Sequence, residues 1–239
     1  MTPESRHSNI WAVVPAAGAG RRMSNNIPKQ YLPLGEKTVL EHSLDALLAC
    51  RQLAGVVVVL SEDDVYWQDI QPRYLDQQLE TATGGAERCH SVLNGLLQLD
   101  GRAAEDDWVL VHDAARPCVR QTDIDRLITT LSTSTDGGLL GVPVADTMKQ
   151  VDSENCITAT VARESLWHAY TPQMFRKGML QSALQLAIDN VRLVTDEASA
   201  MELAGYQPRM VQGQRDNIKI TVPSDLELAA FYLQTRTQT

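Results

Sequence analysis

Residues 55–60 read Gly-Val-Val-Val-Val-Leu, a run with no polar residue on either side of a pleat. An extended segment of this kind must be covered on both faces, which is the condition of a strand inside a parallel sheet. Ile10-Trp11-Ala12-Val13-Val14 and Trp108-Val109-Leu110-Val111-His112 are almost as continuously apolar. The stretches between them read as the helices that would supply the cover. Thr38-Val39-Leu40-Glu41 has the form of a capping box and opens a helix with Leu40, Leu44, Leu47 and Leu48 on one face. A polar helical segment is expected from about residue 61, then a short strand at 80–83. After the turn Gly84-Gly85 comes a helix carrying Val92, Leu96 and Leu99. Thr122-Asp123-Ile124-Asp125 is expected to cap another helix, and residues 138–144 read as a strand. Helices at about 176–190 and 196–204, strands at about 209–212 and 217–220, and a last helix capped by Ser224-Asp225-Leu226-Glu227 complete the chain. This alternation predicts an α/β, Rossmann-like architecture: a mostly parallel sheet with helices on both faces.

Residues 146–172 break the alternation, reading as two strands, 146–151 and 156–161, around a polar turn. A lone two-stranded hairpin is marginal in water, so it needs a second surface, either its own domain's edge or another subunit. Without repeats or low-complexity linkers, residues 1–239 read as one domain, with 146–172 a protruding β-arm for dimerisation.

A formal charge of −9 argues against nucleic acid or an anionic membrane as partner, since both call for broad basic surfaces. Cys50, Cys89, Cys118 and Cys156 show no Cys-x-x-Cys spacing, which signals neither zinc nor a redox pair and suits a reducing compartment. The first residues lack an apolar signal core and no run reaches membrane-spanning length, so a cytoplasmic location is expected.

Against that acidic background one loop stands out. Pro15-Ala16-Ala17-Gly18-Ala19-Gly20-Arg21-Arg22-Met23 follows the first strand and leads to Pro28-Lys29-Gln30. No Asp or Glu occurs from Ser5 to Gly35, although acids are 30 of 239 residues. Close-spaced glycines let backbone N–H groups approach a ligand, and unopposed Arg21, Arg22 and Lys29 suit a polyphosphate. Met23 stands where a dinucleotide fingerprint needs its third glycine, and no Gly-Lys-Ser/Thr follows for a P-loop.

Ligands of an open parallel sheet lie beyond the carboxyl ends of its strands. His112-Asp113-Ala114-Ala115-Arg116-Pro117 follows a buried strand, and Asp113 there is either a hard-oxygen ligand for magnesium or a cap or ion-pair partner for Arg116. His112 reads as structural. Thr195, before Asp196-Glu197, is first an N-cap, while Asp216-Asn217-Ile218-Lys219 brings a second carboxylate and a cation towards the same edge. Gly84-Gly85-Ala86-Glu87-Arg88 with Ser91 could offer polar groups to a base.

Taken in order and spacing, six segments closely resemble one family. They are Pro-Ala-Ala-Gly-x-Gly-Arg-Arg-Met with Pro-Lys-Gln, Gly-Gly-x-x-Arg with Ser-Val, His-Asp-Ala-Ala-Arg-Pro, Thr-Pro-Gln, Thr-Asp-Glu and Asp-Asn-Ile-Lys. The family is the 2-C-methyl-D-erythritol 4-phosphate cytidylyltransferases of the non-mevalonate isoprenoid pathway, matched from about Val13 to Tyr232. The resemblance implies a fold of the nucleotide-diphospho-sugar transferase type, CTP in the glycine loop, Mg²⁺, and a homodimer joined by the β-arm. It implies that Arg22, Lys29 and Lys219 are the catalytic cations, the first two steadying the triphosphate and the charge developing at the α-phosphorus. Ala16, Ala17, Gly18, Gly20, Arg22, Lys29, Gly85, Ser91 and Ala114 would meet the nucleotide. Asp113, Arg116, Thr171, Thr195 and Lys219 would hold methylerythritol phosphate, with Arg163 reaching from the partner's arm. Asp113, with Asp216 second, would hold magnesium. Ala86 departs from the polar or acidic residue expected after the double glycine. The products would be 4-diphosphocytidyl-2-C-methyl-D-erythritol and pyrophosphate. Another polyol phosphate such as ribitol 5-phosphate is the alternative acceptor, and a nucleotide-binding regulator without turnover is the alternative from another class.

Overall fold

The computed structural model describes residues 8–18, 27–192 and 194–236. In chain order the elements are β1 (Ile10–Pro15), β2 (Pro33–Leu34), β3 (Lys37–Thr38), α1 (Val39–Leu48), β4 (Leu53–Leu60), α2 (Trp67–Ile70), β5 (Leu79–Thr83), α3 (Arg88–Gln98), β6 (Trp108–Val111), α4 (Gln121–Leu131), β7 (Gly138–Pro143), β8 (Met148–Val151), β9 (Ile157–Val161), β10 (Trp167–Arg176), α5 (Lys177–Asp189), α6 (Glu197–Leu203), β11 (Arg209–Gln212) and α7 (Pro223–Arg236). Seven strands form one sheet in the order β11-β7-β10-β6-β1-β4-β5. All neighbours run parallel except β10, which is antiparallel to both β6 and β7.

Residue alternation along the central strands divides the core into two layers. Ala12, Val14, Val56, Val58 and Leu110 meet Leu40, Leu44 and Leu47 of α1 and Ile124, Leu127 and Leu131 of α4. Val13, Val57, Val59, Val109 and Val111 meet Val92 and Leu96 of α3 and Leu180, Ala183 and Leu184 of α5. The valine run is therefore apolar throughout because every position faces a helix layer. A third cluster joins Leu32, Leu34 and Val39 to Ala115, Cys118, Ile220 and Ala229 of α7, seating the last helix near the exits of β1 and β6.

Several boundaries differ from the sequence reading. Residues 61–66 are not helical: the Asp64 carboxylate accepts the N–H groups of Tyr66 and Trp67 and holds back the helix start to Trp67. Thr122 does not cap α4, which begins at Gln121 with Arg120 in the cap position. Asp225 caps α7 from inside its first turn, accepting from the N–H groups of Thr221 and Val222. Residues 217–220 form no strand. Side chains anchor them instead: Asn217 Nδ2 donates to Thr171 O at 2.8 Å, and Arg116 donates to Asn217 O at 2.8 Å. The expected hairpin is present as the antiparallel pair β8–β9, a sheet of its own. The segment 146–172 is not all arm, however. From Trp167 the chain has entered β10, whose Thr171–Phe175 are buried between β6 and β7.

Candidate active site

Strands β1, β4 and β6 pair in parallel, so their carboxyl ends share one edge of the sheet. Where the chain leaves β1, Ala16 N donates to Val59 O at 2.8 Å and the buried Gln30 amide donates to Ala16 O at 2.6 Å. Both main-chain groups of Ala16 are thereby fixed. Beyond β5, Gly84 N donates to Leu60 O at 2.7 Å, and Gly85 N donates to the Ser91 hydroxyl at 3.1 Å. A Cβ on Gly84 would stand 2.4 Å from Ala17 Cβ, so a glycine is required for the two loops to approach. At Gly18 a Cβ would meet nothing within 4 Å among the described residues.

The space is a cavity of about 300 Å³ bounded by both loops, by Lys29 and Gln30, by the start of α3, by Asp113–Ala115 and by Lys219. Of the candidate residues, Ala16, Ala17, Gly18, Lys29, Gly85, Ser91, Asp113, Ala114 and Lys219 line it together. Ala86 lines it too. Gly20 and Arg22 lie outside the described residues. The Lys29 ammonium donates to Ile220 O at 3.0 Å, tying the loop after β1 to the segment that carries Lys219.

Asp113 is the electrostatic centre of the cavity. Lys219 Nζ lies 2.8 Å from its carboxylate, Arg88 3.2 Å and Arg116 3.5 Å. Burial alone would raise its pKa, but Arg88, Lys219 and Arg116 overcome that cost and hold it well below the usual carboxylate range. Arg88 is itself locked by Glu197, whose two oxygens accept from its guanidinium at 2.6 and 3.0 Å. Burial opposes the arginine's charge, yet Glu197 and then Asp113 hold its pKa above the ordinary value. Arg88 and Glu197 were given no role from the sequence, although both lie within recognised motifs. What would have singled them out is their pairing across 109 residues, which only folding reveals.

The remaining candidates are placed differently. Thr171 is buried, and its hydroxyl accepts from Asp113 N at 3.0 Å while facing His112 Nδ1 at 3.1 Å. His112 Nε2 faces Arg116 O at 3.1 Å. A carbonyl can only accept, so Nε2 carries the proton and Nδ1 accepts from Thr171. Burial lowers the His112 pKa to about 4, and as expected the imidazole is structural. Arg116 is buried, donates to Asn217 O and lies 4.7 Å over the Tyr170 ring, so its guanidinium is committed within the protein. It lies beside Asp113 without lining the cavity. Thr195 does not line the cavity or cap α6; that cap is Asp196, which accepts from Ser199 N. Arg163 is exposed at the hairpin's base and donates to Ala145 O. Asp216 also lies off the cavity lining, its Oδ2 accepting from Arg120 at 2.9 Å and Arg236 at 2.7 Å. Its place off the lining, rather than its ion pairs, sets Asp216 apart from Asp113 as a candidate for the metal. Asp113 fits magnesium as a single ionised hard-oxygen ligand, since this ion takes most of its shell from phosphate and water. Among the described residues no group of three metal-ligating side chains occurs.

The model of the 2-C-methyl-D-erythritol 4-phosphate cytidylyltransferase family matches residues 10–235. The chain belongs to this family. Members so named include one from Pseudomonas entomophila, 52% identical over 219 residues that cover 91% of this chain and 93% of the relative. Another, from Aliivibrio fischeri, is 51% identical over 226 residues, 95% of this chain and 94% of the relative. A crystal structure of 4-diphosphocytidyl-2C-methyl-D-erythritol synthase superposes with a TM-score of 0.83 at 39% identity, covering 95% of this chain and 99% of that one. The Francisella tularensis 2-C-methyl-D-erythritol 4-phosphate cytidylyltransferase gives 0.80 at 37% identity, covering 94% and 100%. The α/β nucleotidyltransferase fold expected from the sequence is thus that of the family.

Proposed function

We propose that this enzyme joins CTP to 2-C-methyl-D-erythritol 4-phosphate, giving 4-diphosphocytidyl-2-C-methyl-D-erythritol and pyrophosphate in non-mevalonate isoprenoid synthesis. The observation that carries the reading is the convergence of Ala16–Gly18, Lys29, Asp113 and Lys219 on one cavity, in a chain of this family. The acceptor's phosphate oxygen attacks the α-phosphorus in line, and pyrophosphate leaves. A phosphate monoester is already an anionic nucleophile, so the barrier lies in bringing two anions together and stabilising the crowded phosphorus. Ala16–Gly18, Gly85 and Ser91 line the space where the nucleotide would lie. Lys29 and Arg22 draw the triphosphate into position and offset charge as the pyrophosphate departs. Lys219 meets the acceptor phosphate. Mg²⁺ held at Asp113 would neutralise phosphate charge between the reactants. The functional unit is a homodimer in which β8–β9 packs on a second copy and Arg163 serves the partner's acceptor site. Support for this is the exposure of Val151 (47%) and Ile157 (65%) on a hairpin too small to be stable alone. No described helix is long and apolar enough to cross a membrane. Pyrophosphate release, followed with each of the four nucleoside triphosphates and with methylerythritol phosphate or ribitol 5-phosphate as acceptor, tests the reading. Release with CTP and methylerythritol phosphate alone is expected. Faster turnover of ribitol 5-phosphate would overturn the acceptor assignment.

A further inference from the structure

Glu197 is fully buried and does not line the cavity, yet it is joined to it. Its carboxylate takes Arg88 in a two-pronged grip, and the remaining edge of that guanidinium reaches Asp113 Oδ1 at 3.2 Å. On its other side, Glu197 belongs to the first turn of α6, which is fastened to β10 by one side chain. Gln173 Nε2 donates to Asp196 Oδ2 at 2.9 Å, and Gln173 Oε1 accepts from Ala198 N at 2.8 Å. Gln173 lies two residues beyond Thr171, which fixes the main chain of Asp113. A closed circuit therefore runs Asp113–Arg88–Glu197–α6–Gln173–β10–Thr171–Asp113. Each link is a hydrogen bond or a rigid element.

A buried ion pair adds little net stability over a well-packed apolar pair of the same volume. What it adds here is aim: the guanidinium must face Asp113 because its other edge is occupied. We infer that Glu197 is a positioning residue for nucleotidyl transfer, fixing Arg88 so that Asp113 stays oriented into the cavity. The same lock sets the place of the Thr195 segment that precedes α6. The inference rests on the reaction proposed above. Without the Glu197 charge, Arg88 loses the anchor on Nη1 and Nη2, and the Asp113 carboxylate that its Nε and Nη2 hold at 3.2 Å loses its fixed orientation.

The test compares Glu197→Gln and the volume-matched apolar pair Arg88→Met/Glu197→Leu with wild type. The measurements are kcat and KM for both substrates, thermal midpoint, and calorimetric titration with CTP and Mg²⁺. Wild-type turnover in the same series checks the reaction, so its failure is distinguishable from failure of the inference. The expected result for Glu197→Gln is a kcat lower by roughly 10–100-fold, the scale seen when supporting partners of a reactive centre are removed. The apolar pair is expected to melt near the wild-type temperature and still to show the kinetic loss and weaker CTP binding. If the apolar pair folds and turns over at the wild-type rate, the ion pair is only packing and the inference is overturned. If Glu197→Gln does not fold, the apolar pair alone decides.

Discussion

Replacing Gly84 by alanine places a methyl carbon 2.4 Å from Ala17 Cβ, 3.1 Å from the Ser91 hydroxyl and 3.2 Å from Leu60 O. Ordinary contact begins at about 3.4 Å, so the two loops must part by about 1 Å. Neither has an easy retreat. Ala17 follows Ala16, whose N–H and C=O are both bonded, and Gly84 N is bonded to Leu60 O. Overpacking of this kind costs about 1–3 kcal/mol of stability, which a domain of ordinary stability survives. Catalysis suffers more, because displacing a positioning loop by about 1 Å costs on the order of 10²-fold in rate. The contrasting change is Gly18→Ala, where the added methyl meets nothing within 4 Å among the described residues. It is expected to leave the thermal midpoint unchanged and to raise the KM for CTP by occupying ligand space. Pyrophosphate release and thermal melts on both variants check the pair. A Gly84→Ala enzyme within twofold of wild-type kcat/KM and with an unshifted melt would refute the claim that these loops are held in contact.

Lys29→Ala is expected to lower kcat on the order of 10²–10³-fold, by analogy with loss of one oxyanion donor, and steady-state turnover at saturating CTP measures it. His112 should make stability pH-dependent. Below its ordinary value of 6.5 the unfolded chain takes up a proton that the buried ring refuses until about pH 4. Stability therefore falls with pH across that window, by about 2 kcal/mol between pH 7 and pH 5. Urea unfolding of wild type and His112→Gln at those two pH values checks this, with a flatter response expected from the variant. Ile157→Glu on the exposed hairpin is expected to convert a dimer to a monomer in sedimentation velocity and to reduce turnover. An unchanged mass would remove the arm from the interface.

The sheet's interior strands were legible because continuous apolar runs have one stable use, and the capping box at Thr38 was legible because its two bonds are local: Glu41 N donates to Thr38, and Thr38 N to Glu41. The glycine- and cation-rich loop after β1 stood out as a candidate polyphosphate site because no acid falls between Ser5 and Gly35. Less visible were features whose cause lies far along the chain. The antiparallel insertion of β10 between β6 and β7 depends on its pairing with both. Residues 217–220 are held by distant partners, Asn217 by Thr171 and Arg116 and Ile220 by Ala115 and Lys29.

Which charges serve the cavity was likewise a tertiary decision. Asp113 and Asp216 look alike in sequence, each a carboxylate close to a cation. Folding gives the first to a cavity rimmed by Lys219 and Arg88, and the second to Arg120 and Arg236 outside the cavity lining. Sequence determines the sheet because hydrophobic periodicity and caps act between near neighbours. Site membership depends on where side chains from distant segments meet, and a buried charge takes the partners that the assembled fold leaves within reach.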